Sequence, residues 1–523
     1  MHTTPRTVYL ILNQSAGSEL LPENLLPSGW SIRAGLSRKE VREFYDTFEW
    51  QAFNEGIAVV KKRRTLLLAD LNTGKETSSL PFAGSPSSFF SDTLPSSHLK
   101  EILTSLTTIR AFVKLCSIEA ISTSYRILDD NQKTIATLTS EVLSLANKEK
   151  QEPFAHIFSL FPLKGFGDEM ELLEKSLSSN HHEVRELCFR ELFVLNMHAA
   201  GRNIQDYSSK IQLDLDSDAP VHNSVRQLLQ STFSVMCANE EGIKRQIDSE
   251  FLHDYRVAIR RTRSILKQLK GVFDPEETTY YLNFFRELGK QTSALRDQDV
   301  YLLRQATYFD YLPPFLQLSL RPFFTDIALS RKKLHKTLCR YLASSEYRSF
   351  LGEWDAFAHR QSTPDPERSP NASLSTGDVA LHTIKKAWKK VIRHGRQISR
   401  ETTDAELHAL RIDCKKLRYL LEFFSSIFPH KSVAPVIGQL KELQDNLGDF
   451  VDYAVQLHFL RERLSALSPG KEELLLAAST GALIATLFQK QEEVRSKFHK
   501  TFASFDHEKT SELFDDLLNE NPK

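Results

Sequence analysis

The sequence has few cysteines, and no two of them stand at metal-binding spacing. Its 523 residues include five cysteines that are scattered along the chain: Cys116, Cys188, Cys237, Cys339 and Cys414. Without a C-x-x-C pair, this pattern supports neither a zinc site nor a disulfide framework. We therefore expect a protein of the reducing cytoplasm that carries no metal and no other cofactor.

Long hydrophobic runs are also missing. The apolar run nearest the N-terminus covers residues 8–12 and ends at Asn13. The core of a signal peptide and a membrane-spanning helix both need longer runs, roughly 18 residues for a spanning helix. The sequence therefore predicts neither a signal peptide nor a membrane span.

Net charge is absent as well. The chain carries 67 Lys and Arg against 67 Asp and Glu, which gives a formal net charge of zero. A neutral protein is not drawn to nucleic acid by its overall field, so the composition disfavours nucleic-acid binding. The length and an apolar content of 41% are typical of about two to four domains with well-formed cores.

Against this neutral background, one stretch is strongly basic. Residues 251–270 hold six Lys and Arg residues and a single acid, Asp254. At about 100° per residue, a helix over this stretch has two distinct faces. The core face carries Phe251, Tyr255, Ala258, Thr262, Leu266 and Leu269, and the cationic stripe carries His253, Arg256, Arg260, Arg263 and Lys267. A solvated face usually mixes both signs of charge, so a stripe of one sign indicates an anionic partner.

The basic stretch occurs twice. Five of its positions recur at an offset of 155 residues: His253 as His408, Arg256 as Arg411, Arg260 as Lys415, Arg261 as Lys416 and Arg263 as Arg418. Downstream, Gln291 and Asp299 recur as Gln444 and Asp452 at an offset of 153 residues. The sequence therefore predicts an internal duplication in which a pseudo-twofold axis relates two basic helices.

A third basic segment precedes the second copy. Residues 385–400 contain seven Lys and Arg residues and no acid. Trp388, Val391 and Ile392 supply only a narrow apolar stripe, so the pattern predicts a helix with a largely exposed basic surface. Three of its basic residues join the candidate binding set: Lys385, Lys389 and Arg393.

The first 150 residues differ in composition from the rest of the chain. Runs rich in β-branched and aliphatic residues, at 7–12, 58–71 and 122–128, alternate with clusters of Gly, Pro, Ser and Asn. Such runs are typical of strands separated by turns. An Asp-Asp-Asn turn at 129–131 separates two apolar arms, as in a β-hairpin. We therefore predict an α+β fold, in which an antiparallel β domain precedes an all-α region.

The two basic stretches carry the motifs of a known family. The first reads His253-x-x-Arg-Val-x-x-Arg-Arg-x-Arg263 and is followed by Leu295-Arg-Asp-Gln-Asp-Val300. The second reads His408-x-x-Arg-x-x-x-Lys-Lys-Leu-Arg-Tyr419 and is followed by Leu443-Gln-Asp-Asn-Leu-Gly448. Over about residues 223–508 the chain resembles the conserved-histidine α-helical domain, CHAD. The resemblance implies two pseudo-symmetric four-helix bundles whose basic central surface binds inorganic polyphosphate.

The leading functional hypothesis is therefore non-catalytic binding of polyphosphate in a basic groove between the repeated helices. A linear polyphosphate offers no base edges, so regularly spaced cations are sufficient to recognise it. Each exposed ion pair contributes only about 0–1 kcal/mol, so many contacts must act together. The candidate polyphosphate-binding residues are His253, Arg256, Arg260, Arg261, Arg263, Lys267, Lys385, Lys389, Arg393, His408, Arg411, Lys415, Lys416 and Arg418.

A second resemblance covers residues 1 to about 165. The motifs that carry it are Tyr45-Asp46-Thr47, Trp50, Gly56 and the basic strand Lys61-Lys-Arg-Arg64. They are similar to the CYTH or triphosphate-tunnel fold, whose hydrolytic members hold metal ions with a Glu-x-Glu-x-Lys motif on the first strand. The corresponding run at 8–13 has no carboxylate. We therefore expect a degenerate tunnel-like domain without catalytic residues, and a metal-dependent triphosphatase is the alternative function.

These segments define the predicted domain organisation. A CYTH-like β domain (1–165), a helical and acidic linker (166–222), a CHAD domain (223–508) and an acidic tail (509–523) follow one another. A Ser- and Pro-rich segment separates the CHAD halves, at about 223–358 and 378–508. Within the linker, the run Asp214-x-Asp216-x-Asp218 begins like a calcium loop but has Ala219 where that loop requires Gly.

Several alternatives stay open. We interpret Arg296, Asp297, Asp299, Asp445 and Asp452 as members of salt bridges that brace the basic helices rather than as ligand contacts. Binding of nucleic acid would require duplex DNA or RNA to compete with polyphosphate on equal terms. A metal held by the paired histidines lacks neighbouring carboxylates. The expected location is the cytoplasm, with polyphosphate granules as one place within it, and the sequence does not define an oligomeric state.

Overall fold

The computed structural model describes residues 8–12, 26–146, 152–163, 165–178, 184–361, 364–399, 401–467 and 470–519. The chain divides into two compact units, Met1–Ser208 and Ser209–Lys523. The division falls inside the stretch that the sequence predicts as a linker. No helix in the described ranges is long and apolar enough to cross a membrane.

The first unit is built on one antiparallel sheet. Its strands are β1 (Val8–Leu12), β2 (Ser31–Asp46), β3 (Ile57–Lys62), β4 (Thr65–Asp70), β5 (Glu76–Pro81), β6 (Ser88–Phe89), β7 (Phe112–Leu128), β8 (Thr134–Leu145), β9 (Pro153–Pro162) and β10 (Val184–Leu187). The strand order is β10-β1-β9-β8-β7-β2-β3-β4-β5, and β6 pairs with β7. The α+β prediction, with a sheet ahead of a helical region, is confirmed.

The predicted hairpin joins β7 to β8. Asp129 initiates the turn, because one of its carboxylate oxygens accepts hydrogen bonds from the backbone N–H groups of Asn131 (2.9 Å) and Lys133 (2.8 Å). Gln132 completes the turn with a φ of 58°. The arms then pair from Leu128 opposite Thr134 onward, so the local turn chemistry fixes the register of the two long strands.

Four helices complete the first unit: α1 (Gln51–Asn54), α2 (His98–Leu106), α3 (Gly167–Ser178) and α4 (Phe189–Ala199). Helix α4 packs the buried Phe193 and Met197 on the sheet core around Phe44. Within the segment predicted as a helical linker, the sequence pattern favours one helix over residues 183–197, but residues 184–187 form β10 and pair with β1. The conformation of this segment is determined by pairing with a neighbouring strand, and the helical periodicity of the sequence does not reveal that pairing.

The second unit is all-helical in its described residues. Its helices are α5 (Val221–Arg245), α6 (Ser249–Gln268), α7 (Pro275–Leu303), α8 (Gln305–Asp310), α9 (Pro314–Gln317), α10 (Arg321–Leu342), α11 (Ser345–His359), α12 (Thr376–Arg396), α13 (Asp404–Phe423), α14 (His430–Ser465), α15 (Lys471–Phe505) and α16 (Glu508–Asn519). Helix α16 lies in the stretch predicted as an acidic tail, and its buried Phe514 stacks on Trp388 at 3.6 Å between ring centroids.

Two four-helix bundles make up this unit. The first contains α5, α6, α7 and α10, and the second contains α12, α13, α14 and α15. Equivalent helices touch across the two bundles, α5 against α12 and α6 against α13. This arrangement is the one that the internal duplication predicts, with the two basic helices α6 and α13 in direct contact.

Helix α6 is anchored by its apolar face. The predicted core residues are all buried: Phe251, Tyr255, Ala258, Thr262, Leu266 and Leu269. Two of them also satisfy their polar groups, since the Tyr255 hydroxyl bonds to that of Tyr347 (2.8 Å) and Thr262 donates to Thr232 (2.9 Å). The apolar face therefore fixes the rotation of the helix and sets the direction of its basic face.

The close approach of α5 to α6 gives a stability prediction. A Cβ atom on Gly242 would lie 2.1 Å from the ring of Phe251, which is buried in the first turn of α6. We expect Gly242→Ala to lower the free energy of unfolding by about 1–3 kcal/mol, because the ring must move. Urea denaturation followed by circular dichroism measures this loss.

Gly352→Ala in α11 is the matched control. No atom lies within 4 Å of a Cβ built at Gly352, which is exposed within its helix. Alanine favours a helix interior by up to about 1 kcal/mol over glycine, so this variant should be at least as stable as the wild type. A Gly242→Ala protein as stable as the control would contradict the proposed steric constraint.

Candidate anion-binding site

The two basic helices start at well-formed N-caps. The Asp248 carboxylate accepts hydrogen bonds from the backbone N–H groups of Glu250 (2.9 Å) and Phe251 (3.3 Å) at the start of α6. Helix α13 starts with a capping box in which Thr403 and Glu406 exchange hydrogen bonds. These caps fix where each helix begins and therefore which residues face the partner helix.

Helices α6 and α13 are joined by two cross-helix contacts. The Gln268 side-chain amide donates to the backbone carbonyl of Lys416 at 3.4 Å. The Arg261 guanidinium donates to the Glu422 carboxylate at 3.2 Å. These contacts hold the two cationic stripes side by side, so basic residues from both copies of the repeat come together.

Arg260 and Lys415 are the central pair of this surface. Both are half-buried, and neither makes an ion pair within the described ranges of the chain. Burial and the neighbouring charges of Arg411 and Arg260 lower the pKa of Lys415 to about 8. The Nε atom of Arg260 is buried without a hydrogen-bond partner. Two cations thus approach each other across the two helices with no neutralising bond.

Arg256 adds a cation whose partners are neutral. Its guanidinium donates to the carbonyl of Gly289 (2.9 Å) and to the hydroxyls of Thr292 (2.7 Å) and Ser293 (3.1 Å) on α7. Burial, followed by repulsion from Arg260, lowers the pKa of Arg256 to about 10. The group is held in place by hydrogen bonds but keeps its positive charge at neutral pH.

Arg263 and Lys267 continue the stripe of α6. Neither makes an ion pair with another described residue. Burial and the nearby charge of Arg286 lower the pKa of Arg263, so its surroundings are also cationic. Lys267 is exposed and lies at the rim of a cavity beside α12.

Four of the predicted site residues are instead neutralised by carboxylates. Arg261 and Arg418 both bind Glu422, and Arg411 binds Asp452 at 3.2 Å. Lys416 lies 3.3 Å from the buried Asp413. The sequence pattern predicts these four residues as part of the binding set. Their carboxylate partners in the fold instead give them a structural role, which is to hold the cationic stripes in place. Only the fold brings these acids into contact.

The paired histidines lie on the same two helices. His253 is half-buried on α6, and His408 is exposed on α13. Burial, followed by the charges of Arg411 and Lys415, lowers the pKa of His408 below its ordinary value. An anion bound beside these cations would oppose that effect and favour the protonated imidazole.

The three predicted residues of α12 lie away from α13. Lys385, Lys389 and Arg393 are exposed, and the last two line a cavity of about 580 Å³ against Ser511 and Asp515 of α16. The residues of α12 that contact α13 each follow Lys389 or Arg393 by one position in the sequence. Lys390 (2.9 Å) and His394 (3.2 Å) both bind Asp413. These two residues are absent from the predicted binding set, although their i,i+4 spacing indicates a second basic face.

Two salt bridges tie α7 and α14 to the basic helices. Arg296 binds Glu250 of α6 at 3.1 Å, and Asp452 binds Arg411 of α13 at 3.2 Å and also lies 3.9 Å from Arg304. The buried Asp299 instead binds Arg331 of α10 at 2.5 Å, and Asp297 and Asp445 form no salt bridge with another described residue. The prediction of bracing salt bridges is therefore confirmed for Arg296 and Asp452 and is wrong for the other three residues.

In the first unit, two clusters of charged side chains on the sheet form ion pairs. The buried Glu43 binds Lys61 (2.7 Å) and Lys114 (2.6 Å). Burial alone would raise the pKa of Glu43, but the hydrogen bonds from Lys114, Lys61 and Ser85 lower it to about 2. Arg42 likewise forms a two-point contact with Glu141. These cations therefore already have anionic partners within the sheet.

Comparison with known proteins defines the class of the helical region. The family model of the CHAD domain matches residues 227–461. The predicted CHAD domain is thereby confirmed for this part of the chain, which contains both basic helices.

Two curated proteins are similar to part of the chain. They are the uncharacterized proteins MT2285 of Mycobacterium tuberculosis strain CDC 1551 and Rv2226 of strain H37Rv. Each is 27% identical over 227 residues, which cover 42% of this chain and 42% of the relative. The chain therefore spans about two fifths of the length of the curated relatives it matches.

Two solved structures are similar to the helical part. The crystal structure of the CHAD domain from the plant Ricinus communis has 24% identity and a TM-score of 0.46, and the match covers 55% of this chain and 96% of that one. PptA from Streptomyces chartreusis has 14% identity and a TM-score of 0.43, with 54% and 99% covered.

The repulsion at the central pair predicts a stabilising substitution. Because folding lowers the pKa of Lys415, its protonated form costs stability below about pH 8, and this cost disappears above the ordinary lysine pKa of about 10.4. We expect Lys415→Gln to raise the free energy of unfolding at pH 7 by on the order of 1 kcal/mol, after allowance for solvent screening. Thermal unfolding at pH 7 and at pH 10.5 measures the difference.

The gain in stability from Lys415→Gln should be smaller at pH 10.5, where Lys415 of the wild type is also neutral. Lys336→Gln, which removes an exposed lysine of α10, is the control and should leave stability unchanged at both pH values. A Lys415→Gln protein less stable than wild type at pH 7 would show that the ammonium stabilises the fold.

Proposed function

We propose that the helical unit binds inorganic polyphosphate along the surface shared by α6 and α13, without chemical conversion of the polymer. The observation that carries this proposal is the unneutralised pair Arg260 and Lys415, which belongs to equivalent positions of the two repeats. Side chains that are half-buried beside like charges lower the stability of the empty protein, so a bound polyanion would relieve the repulsion.

The geometry divides the candidate residues into three groups. The direct ligands in this proposal are the cations without carboxylate partners and the two histidines: Arg256, Arg260, Arg263, Lys267, Lys415, His253 and His408. The ion-paired Arg261, Lys416, Arg411 and Arg418 orient these ligands and keep the two helices together. Lys385, Lys389 and Arg393 form a separate exposed face that a long polymer reaches after leaving the central surface.

A phosphate polymer fits this surface better than a nucleic acid does. The side chains of the direct set are guanidinium, ammonium and imidazole groups, which bind phosphate oxygens, and the set contains no Phe, Tyr or Trp on which bases could stack. The zero net charge of the chain also provides no long-range attraction for a duplex. A cytoplasmic location, including polyphosphate granules, follows from the proposed ligand.

Removal of the central pair tests the proposal. We expect Arg260→Ala/Lys415→Ala to weaken binding of long-chain polyphosphate about 10- to 100-fold at low salt, because two charge-assisted contacts are lost. The slope of log affinity against log salt concentration should also become shallower by about two, because two charges are removed. Isothermal titration calorimetry of the full chain at several salt concentrations measures both quantities.

Arg321→Ala/Lys336→Ala is the matched control, because it removes the same two charge types from exposed positions on α10. It should bind polyphosphate like the wild type. Equal losses in both double variants would mean that only net charge matters, and an unchanged central variant would refute the site. Duplex DNA that displaces polyphosphate at equal phosphate concentration would favour nucleic-acid binding instead.

The pH dependence of binding tests the role of Lys415. Its pKa of about 8 means that the ammonium is mostly protonated at pH 7 and mostly neutral at pH 9. We therefore expect the affinity for polyphosphate to fall up to about tenfold between pH 7 and pH 9. Lys415→Arg keeps the charge at both pH values, so its affinity should change much less over this interval.

The same titrations, extended to lower pH, report on His408. Because its pKa lies below the ordinary value, further tightening from this residue is expected only under mildly acidic conditions. A His408→Asn variant should lose this acidic increase while retaining the dependence between pH 7 and pH 9. Lys415→Arg with the full wild-type pH dependence would show that another group controls binding.

For the first unit we propose a degenerate relative of the triphosphate-tunnel fold that does not hydrolyse phosphate chains. The antiparallel sheet and the ion pairs around Glu43 and Arg42 support this, because cations already bound to carboxylates are not available to a triphosphate. The side chains of β1 lie outside the described residues. Release of phosphate from tripolyphosphate with Mg²⁺ or Mn²⁺ would favour the triphosphatase alternative.

A further inference from the structure

The helical unit contains a second basic site, a cavity of about 830 Å³ enclosed by α12, α13 and the end of α6. This volume lies within the range of small-molecule sites, roughly 300–1,000 Å³. Its position differs from that of the central pair, since neither Arg260 nor Lys415 lines it. The cavity therefore needs a separate explanation.

The cavity has a cationic end. Lys267 and Lys386 project there without an ion pair to any described residue. Lys390 and Lys416 lie behind them and share the buried carboxylate of Asp413. Four ammonium groups around one carboxylate leave a net positive charge that suits two or three phosphate groups.

The opposite end of the cavity is different in character. It is lined by Leu374, Val379 and Leu269, together with the carboxylate of Asp378 and the side chain of Lys270. Along α12, Asp378 precedes Lys386 by eight residues, which corresponds to about 12 Å at 1.5 Å per residue. An inorganic phosphate chain has no apolar surface to place against the three aliphatic side chains, and the Asp378 carboxylate offsets the charge of Lys270. This end therefore favours an organic group with hydrogen-bond donors.

From this polarity we propose that the cavity binds a nucleoside di- or triphosphate. The phosphates contact Lys267 and Lys386 at the cationic end, and the base packs between Leu374 and Val379. Asp378 accepts hydrogen bonds from the ribose hydroxyls. Sugar phosphates and inositol phosphates are polar on all sides and would leave the apolar wall unused, so the site favours a nucleotide over them. The proposal does not rest on polyphosphate binding at the central pair.

Titration of the full chain with magnesium-free ATP, and separately with tripolyphosphate, tests this assignment. We expect ATP to bind at least about tenfold more tightly than tripolyphosphate at this site, because only ATP uses the apolar end. Lys386→Ala should weaken ATP binding about tenfold through loss of a charged contact. Leu374→Ser, at an exposed position, should reduce ATP binding toward the level of tripolyphosphate.

Matched variants separate this site from the polyphosphate surface. Lys385→Ala removes the neighbouring lysine, which does not line the cavity, and should leave ATP binding unchanged. Arg260→Ala/Lys415→Ala should also leave ATP binding unchanged while weakening polyphosphate binding, and Lys386→Ala should do the reverse. Equal affinities for ATP and tripolyphosphate, or equal effects of Lys385→Ala and Lys386→Ala, would overturn the proposal.

Discussion

Contact between two helices of like charge is the constraint on which the helical unit depends. The apolar face of α6 is committed to its own bundle through Tyr255 and Thr262, so its basic face has only one direction left, toward α7 and α13. Charges gathered in this way lower stability unless partners compensate. Glu422, Asp413 and Asp452 form ion pairs with four of these cations, and the central pair has no such partner among the described residues. At that point stability and the proposed ligand binding would oppose each other.

Much of this organisation could be predicted from the sequence, because it depends on periodicity. A 3.6-residue pattern identified six core residues of α6 and its C-cap but missed Leu252, Ile259 and Ile265, which are also buried. The repeat at an offset of 155 residues predicted two equivalent basic helices, and the family resemblance implied the two bundles. The turn at Asp129 followed from local hydrogen-bonding chemistry in the same way. These features are local or repeated, so they require no knowledge of which distant segments meet.

The sequence could not predict which basic residues of the site form ion pairs and which do not, because this depends on tertiary partners. Arg260 and Arg261 are adjacent basic residues in the sequence, yet only Arg261 meets a carboxylate, and that carboxylate is 161 residues away. On α12 a rotation of one residue separates Lys389, which faces outward, from Lys390, which binds Asp413. Composition and spacing do not distinguish such neighbours. The strand at 184–187 escaped prediction for the same reason, since its partner lies near the start of the chain.

The buried carboxylate of Asp413 would couple the two proposed sites. It holds Lys390, His394 and Lys416 at once, so it ties one wall of the proposed nucleotide cavity to the helix that carries Lys415. Two polyanions bound beside this shared cluster would repel each other and share the same limited positive potential. The two proposed ligands would then be antagonists, and by thermodynamic reciprocity each would weaken the binding of the other by the same factor. A rise in nucleotide concentration would therefore release polyphosphate from the protein.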